Sequence, residues 1–96
     1  MDQRSASVAQ LWEAHLRAPF PSGLGGTEVE GVDLVLLDAD AAGCVRTWLD
    51  NGGHLDDWRR SVVSSCSHQL DLVLPVLADE AAGYYRRLRD LTALIA

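Results

Sequence analysis

The chain has 96 residues, enough for one small hydrophobic core and too few for two. Hydrophobic residues make up 48% of it and include three Trp, which argues for a single folded domain; no run of about 18 apolar residues is present to cross a membrane. A net charge of −6 and a pI near 4.7 oppose attraction to a phosphate backbone, so nucleic acid is not an expected partner.

In chain order, the first expected element is a helix from Ser5 to Arg17, with Ser5 or Ser7 as cap and Val8, Leu11, Trp12, His15 and Leu16 recurring at helical spacing. Ala18-Pro19-Phe20-Pro21 stops it, because proline lacks an amide proton and disfavours helical geometry in the residue before it. Phe20 is expected to plug one end of the core. Residues 21–32 then form a long connection with four glycines, expected to be a loop.

The most apolar stretch follows. Stepping about 100° per residue, Leu34, Leu37, Ala41, Cys44, Val45 and Trp48 fall on one side of a helix. Asp33 can cap its start, and Asn51-Gly52-Gly53 ends it after Asp50 with residues that tolerate left-handed backbone. A rival reading takes Val32 to Leu37 as a strand, for which the sole partner is the short, charged Thr27-Glu28-Val29-Glu30. Two residues depart from the helical pattern: Leu36 points outward, and Asp38 sits on the apolar side between Leu34 and Ala42.

His54-Leu55-Asp56-Asp57 opens a third helix whose stripe is Trp58, Val62, Cys66, Leu70, Val73, Leu74 and Leu77, ending or kinking at Pro75. Asp79-Glu80 opens the last, with Ala81, Tyr84, Tyr85, Leu88, Leu91, Thr92 and Ile95 inward and Arg86, Arg87 and Arg89 outward. The predicted fold is all-α: a small four-helix antiparallel bundle with one long Gly-rich loop, residues 21–32, between the first two helices.

An ionised carboxylate on an apolar face costs several kcal/mol unless it is compensated, so Asp38 requires a partner. The candidates are His15, which shares the core side of its own helix, an indole or phenol from Trp12, Trp48, Tyr84 or Tyr85, an Arg from a neighbouring helix, or loop amides. Asp38, His15, Trp12, Trp48 and Tyr85 are the candidate ligand or structural polar site, and the plain alternative is a set of buried polar groups satisfied by hydrogen bonds. Cys66 and His68 lie about 200° apart around a helix and cannot easily share an ion. Gly23-Leu24-Gly25-Gly26-Thr27 lacks the Lys-Ser/Thr and the preceding strand of a phosphate cradle. Ser61, Ser64, Ser65 and Ser67 have no neighbouring base. No nucleophile is tied to a base and an orienting group, so no catalytic residue, cofactor or metal is assigned.

Charge is unevenly spread. Between Arg17 and Arg46 there are five acidic residues and no basic one, while Arg86, Arg87 and Arg89 cluster late in the chain. The two regions are either complementary surfaces or solvated faces worth little. All eight basic residues are Arg, which suggests a GC-rich bacterial genome. Cys44 and Cys66 at apolar positions, and a start without an apolar signal core, point to free thiols in a cytoplasmic protein. The leading expectation is a protein that acts by binding, to itself as a dimer or to another protein. Its candidate surface is the glycine loop with Leu36, Leu94, Arg86 and Arg87. The alternative is a small-molecule or metal site inside the bundle around Asp38.

Overall fold

Three of the four helices begin immediately after an aspartate whose carboxylate accepts a backbone N–H that the first turn leaves without an intrahelical partner. Asp2 accepts from Ser5 N at 2.7 Å, Asp33 from Leu36 N at 3.0 Å and Asp56 from Arg59 N at 2.8 Å. These backbone hydrogen bonds hold the exposed Asp2 and Asp56 carboxyls below their ordinary range. In a computed structural model, which describes residues 2–24 and 26–96, the helices are α1 (Gln3–Arg17), α2 (Leu34–Asp50), α3 (Asp57–Val73) and α4 (Asp79–Ile95). α4 has no side-chain cap and relies on Asp79 and Glu80 in its first turn. α1 starts two residues earlier than its serines suggest, because Asp2 offers the stronger acceptor.

The fold is all-α apart from one small feature. Within 21–32, expected to be loop throughout, β1 (Glu28–Val29) pairs antiparallel with β2 (Val32–Asp33), in register Glu28 with Asp33 and Val29 with Val32. Glu30 and Gly31 link them, both with positive φ, the handedness that matches the twist of a tight hairpin. Gly25, in the same stretch, lies outside the described residues. β2 hands the chain straight to α2 through the Asp33 cap, so the strand reading and the helix reading of this region each hold for part of it.

α2 and α4 each pack on all three other helices, and α1 packs more extensively on α4 than on α2. The core falls into two clusters. One gathers Leu34, Leu37 and Ala41 of α2, Cys66, Leu70 and Val73 of α3, and Tyr84, Tyr85 and Leu88 of α4. The other gathers Val8 of α1, Cys44, Val45 and Trp48 of α2, Leu55, Val63 of α3, and Leu91 and Ile95 of α4. Tyr85 is fully buried and donates its hydroxyl to the Leu34 carbonyl at 2.6 Å, joining α4 to the first turn of α2. At the opposite end the Arg4 side chain donates to the Leu94 and Ala96 carbonyls and lies 5.6 Å over the Trp48 ring.

The inward stripes shift slightly from the expected ones. In α3, Val63 is buried and Trp58 is 70% exposed; in α4, Ala82 is buried and Ala81 only half so. Trp58 occupies the second position of its helix, at the rim of a groove against α2.

Gly53 adopts φ +91 just after α2, and a Cβ there would sit 3.3 Å from the Trp48 ring. Gly53→Ala is therefore expected to lower stability by about 1–2 kcal/mol. Gly83, inside α4 with open space around it, should tolerate the same change and gain up to about 1 kcal/mol. Chemical denaturation of both variants checks the contrast.

Candidate functional site

Asp38 lies one turn into α2, on the side that also carries the buried Leu34, Leu37 and Ala41. Its side chain is 19% exposed and has partners on two other helices. His15, in the last turn of α1, brings Nε2 to 3.1 Å from Oδ1, and Tyr84, near the start of α4, donates its hydroxyl to Oδ2 at 2.7 Å. The Tyr84 oxygen is also 3.4 Å from His15 Nε2. With the phenol proton committed to the carboxylate, the satisfied arrangement places the imidazole proton on Nε2, donating to Asp38. That leaves His15 Nδ1 buried and, among the described residues, without a partner.

Aromatic rings enclose these polar atoms. Trp12 stacks on His15 at 5.8 Å, His15 tilts against Tyr84 at 4.8 Å, and Phe20 meets Tyr84 edge-on at 5.6 Å. Phe20 is placed there because Pro19 and Pro21 turn the chain back over the end of α1. Burial raises the Tyr84 phenol well above its usual range, and its hydrogen bond to the Asp38 carboxylate raises it further. Burial does the same to Tyr85, with the charges of Asp38 and Asp33 adding to it.

The triad forms the floor of an open groove of about 420 Å³ between α1 and α2, walled by Trp12, Leu16, Phe20, Val35, Ala39 and Ala42. Chemically, each oxygen of Asp38 is engaged by one donor, and the hydroxyl beside the imidazole, that of Tyr84, is committed to the carboxylate instead of being held as a nucleophile would be. His15 and Asp38 could offer two metal ligands; among the described residues no group of three or more His, Cys, Asp or Glu comes together. The direct physical effect of the arrangement is to tie α1, α2 and α4 together through one carboxylate.

The structure brings His15, Asp38 and Trp12 together as the sequence suggests and corrects two other members of that set. Trp48 belongs to the second core cluster, beneath Arg4, and Tyr85 turns to Leu34; the phenol on Asp38 is Tyr84. Of the surface candidates, Leu36 is 57% exposed and Arg86 is exposed, but Leu94 is half-buried against the second cluster. Arg87 is not fully outward either. It is half-buried, and among the described residues its Nη1 has no partner. Arg89 pairs with Asp71 of α3 at 2.8 Å rather than with the acidic 28–40 region. Both cysteines are free and buried; burial raises the Cys44 thiol and pushes that of Cys66 up to about 12. Sequence reasoning missed a second groove of about 270 Å³ between α2 and α3, where Gly43 and Thr47 face the exposed Trp58.

No family model, curated protein or solved structure matches this chain. Geometry alone therefore carries the functional reading.

Asp38→Asn removes the charge and one acceptor from a partly buried cluster and is expected to cost about 1–3 kcal/mol. Asp40→Asn, on the exposed side of the same helix, should stay within about 0.5 kcal/mol of the parent. A second expectation concerns alkali. Cys66, Tyr84 and Tyr85 all hold their protons more tightly in the fold than in the unfolded chain. Above the ordinary thiol value the unfolded state binds fewer protons than the native one, so stability falls as pH rises. Loss should begin near the thiol's ordinary 9.0, continue towards 12 for Cys66 and steepen past the ordinary phenol value of 10.0. Urea midpoints measured from pH 8 upward check this, with Tyr84→Phe flattening the upper part of the curve.

Proposed function

We propose that the protein acts by binding another protein chain, in the first place a second copy of itself, through the face formed by α1, α2 and α3. One observation carries the reading. Among the described residues the exposed large apolar side chains are Leu16 of α1, Val35 and Leu36 of α2, Trp58 and Leu72 of α3, and Val76 just after it; none belongs to α4. The exposed positions of α4 are instead charged or small: Asp79, Glu80, Gly83, Arg86, Asp90 and Ala93. Single exposed leucines are ordinary, but six apolar chains, five on α1 to α3 and one just after α3, form a bias of the kind that interaction surfaces carry. Trp58 in particular offers the large, rigid contact area that concentrates binding energy at interfaces.

The neighbour relations support an up-and-down antiparallel course for the four helices. Arg4 at the start of α1 meets the end of α4, while His15 near the end of α1 meets the starts of α2 and α4. On that course α2 is a crest between α1 and α3 and is free to meet a partner. A cytoplasmic setting suits two free, buried thiols.

Sedimentation velocity at micromolar concentration is expected to show a dimer. Leu36→Glu and Trp58→Ala should each weaken it by about tenfold or more with helical content unchanged. A strict monomer at every concentration removes the reading.

The α1–α2 groove favours a second reading, a site for a small apolar molecule, since its volume falls in the range of such sites. Asp38, partly exposed at its floor, would accept a hydrogen bond from the N–H of an aryl amine while Trp12 and Phe20 cover the ring. In a Trp48→Phe, Trp58→Phe background, Trp12 emission should change saturably when aryl amines are added. An unchanged spectrum eliminates this class of ligand.

A further inference from the structure

At one end of the molecule the polar atoms of His15, Asp38 and Tyr84 satisfy one another. At the other, two arginines meet two cavities. Arg4, in the first turn of α1, and Arg60, in the first turn of α3, line a cavity of about 240 Å³ together with Trp48 and Gly53. A second cavity of about 240 Å³ adjoins it, sharing Leu55, Arg60 and Ile95 as wall and running along α3 past Val63, Ser64 and Ser67. Residues 60, 63, 64 and 67 of a helix fall within about 100° of one another, so a single face of α3 lines this second cavity.

Charge at this end is unbalanced. Arg59 is paired with Asp56 and Arg89 with Asp71. Among the described residues neither Arg4 nor Arg60 pairs with an acidic side chain, and no Asp or Glu lines either cavity. Asp2 and Asp56 are used as the caps of α1 and α3. Arg4 gives its Nε and Nη2 to the Leu94 and Ala96 carbonyls, which accept hydrogen bonds and leave its charge uncompensated by any described side chain. A chain of net charge −6 repels anions at long range, so two unpaired cations on one cavity are a local exception to its field.

We infer that this end of the protein binds a small carboxylate with an apolar tail, of the class of medium-chain fatty acid anions. Its carboxylate lies between Arg4 and Arg60, whose planar forks match that group, and its tail follows Leu55, Val63 and Ile95. Because Arg60 lines both cavities, a carboxylate that it holds stands where they meet, and the tail needs no further opening. Ser64 and Ser67 are small and uncharged, so they leave room for a tail and demand no second charge on it. Each cavity is a little smaller than the roughly 300 Å³ at which drug-sized sites begin, which limits the ligand to a short chain. A bare inorganic anion would leave the apolar cavity unused, and a neutral alcohol would leave both cations without a counter-charge. The site involves neither Leu36 nor Trp58 and is independent of self-association.

Isothermal titration calorimetry with octanoate tests the inference. Saturable binding is expected, about tenfold or more tighter than that of octanol, the same tail without the charge. Arg60→Gln should weaken octanoate by about tenfold with the thermal transition unchanged, because Arg60 is exposed and makes no ion pair with a described residue. Arg4→Gln should do the same with helical content retained by circular dichroism. Ser64→Phe, at an exposed position, puts a ring into the tail cavity and should also weaken octanoate. The inference is overturned by the absence of saturable heat at millimolar octanoate, by equal affinity for octanol, or by parental affinity in Arg60→Gln. Inorganic phosphate that displaces octanoate at equal concentration overturns the apolar tail.

Discussion

A carboxylate on the core side of α2 is stable only while the imidazole of His15 and the phenol of Tyr84 engage it. That requirement links elements far apart in sequence. α1 must extend as far as its last turn to deliver His15, and must stop just afterwards so that Pro19 and Pro21 can turn Phe20 onto the Tyr84 ring. α4 must rotate Tyr84 towards α2 and still bury its neighbour Tyr85, whose hydroxyl takes up the Leu34 carbonyl. Removing the acceptor would leave two donors facing an aromatic enclosure, a larger loss than that of any one hydrogen bond. The cluster fixes the height of α1 against α2, and the groove between these two helices opens above it.

The same helix divides inside from outside. One side of α2 supplies Leu34, Leu37, Ala41, Cys44, Val45 and Trp48 to both core clusters; the other presents Val35, Leu36, Ala39 and Gly43 to solvent together with the charged Asp40, Arg46 and Asp50. α4 is the contrasting case, with a fully buried inner face and a charged or small outer one, as expected of a helix that faces water.

Much of the architecture was legible because it is written in local chemistry. Asp33 before the apolar run and Asn51-Gly52-Gly53 after it bound α2 correctly, and helical phase alone placed Asp38 and His15 on facing sides. Phase says nothing about height. Trp48 shares the side of Asp38 but lies ten residues along, about 15 Å at 1.5 Å per residue, which removes it from the site on arithmetic alone. Between Tyr84 and Tyr85 the sequence offered no choice, since adjacent positions on a helix buried on two sides are both interior. The hairpin was obscured because two strands of two residues leave no alternation to detect, and its turn is Glu-Gly instead of the stronger Asn-Gly or Asp-Gly signal. Trp58 was misplaced because the inward stripe was extended back to the first turn, where Trp58 overhangs the α2–α3 groove and stays 70% exposed.

The division of the core has a chemical counterpart in its sulfurs. Cys66 belongs to the cluster that holds the tyrosines and Cys44 to the one that holds Trp48, and each thiol keeps its proton under conditions where an exposed one would ionise. Alkylating or oxidising reagents therefore act on them only during transient openings, and each sulfur times the opening of its own half. Reaction at one rate would mark a core that comes apart as a unit, and two rates would mark a seam between its halves.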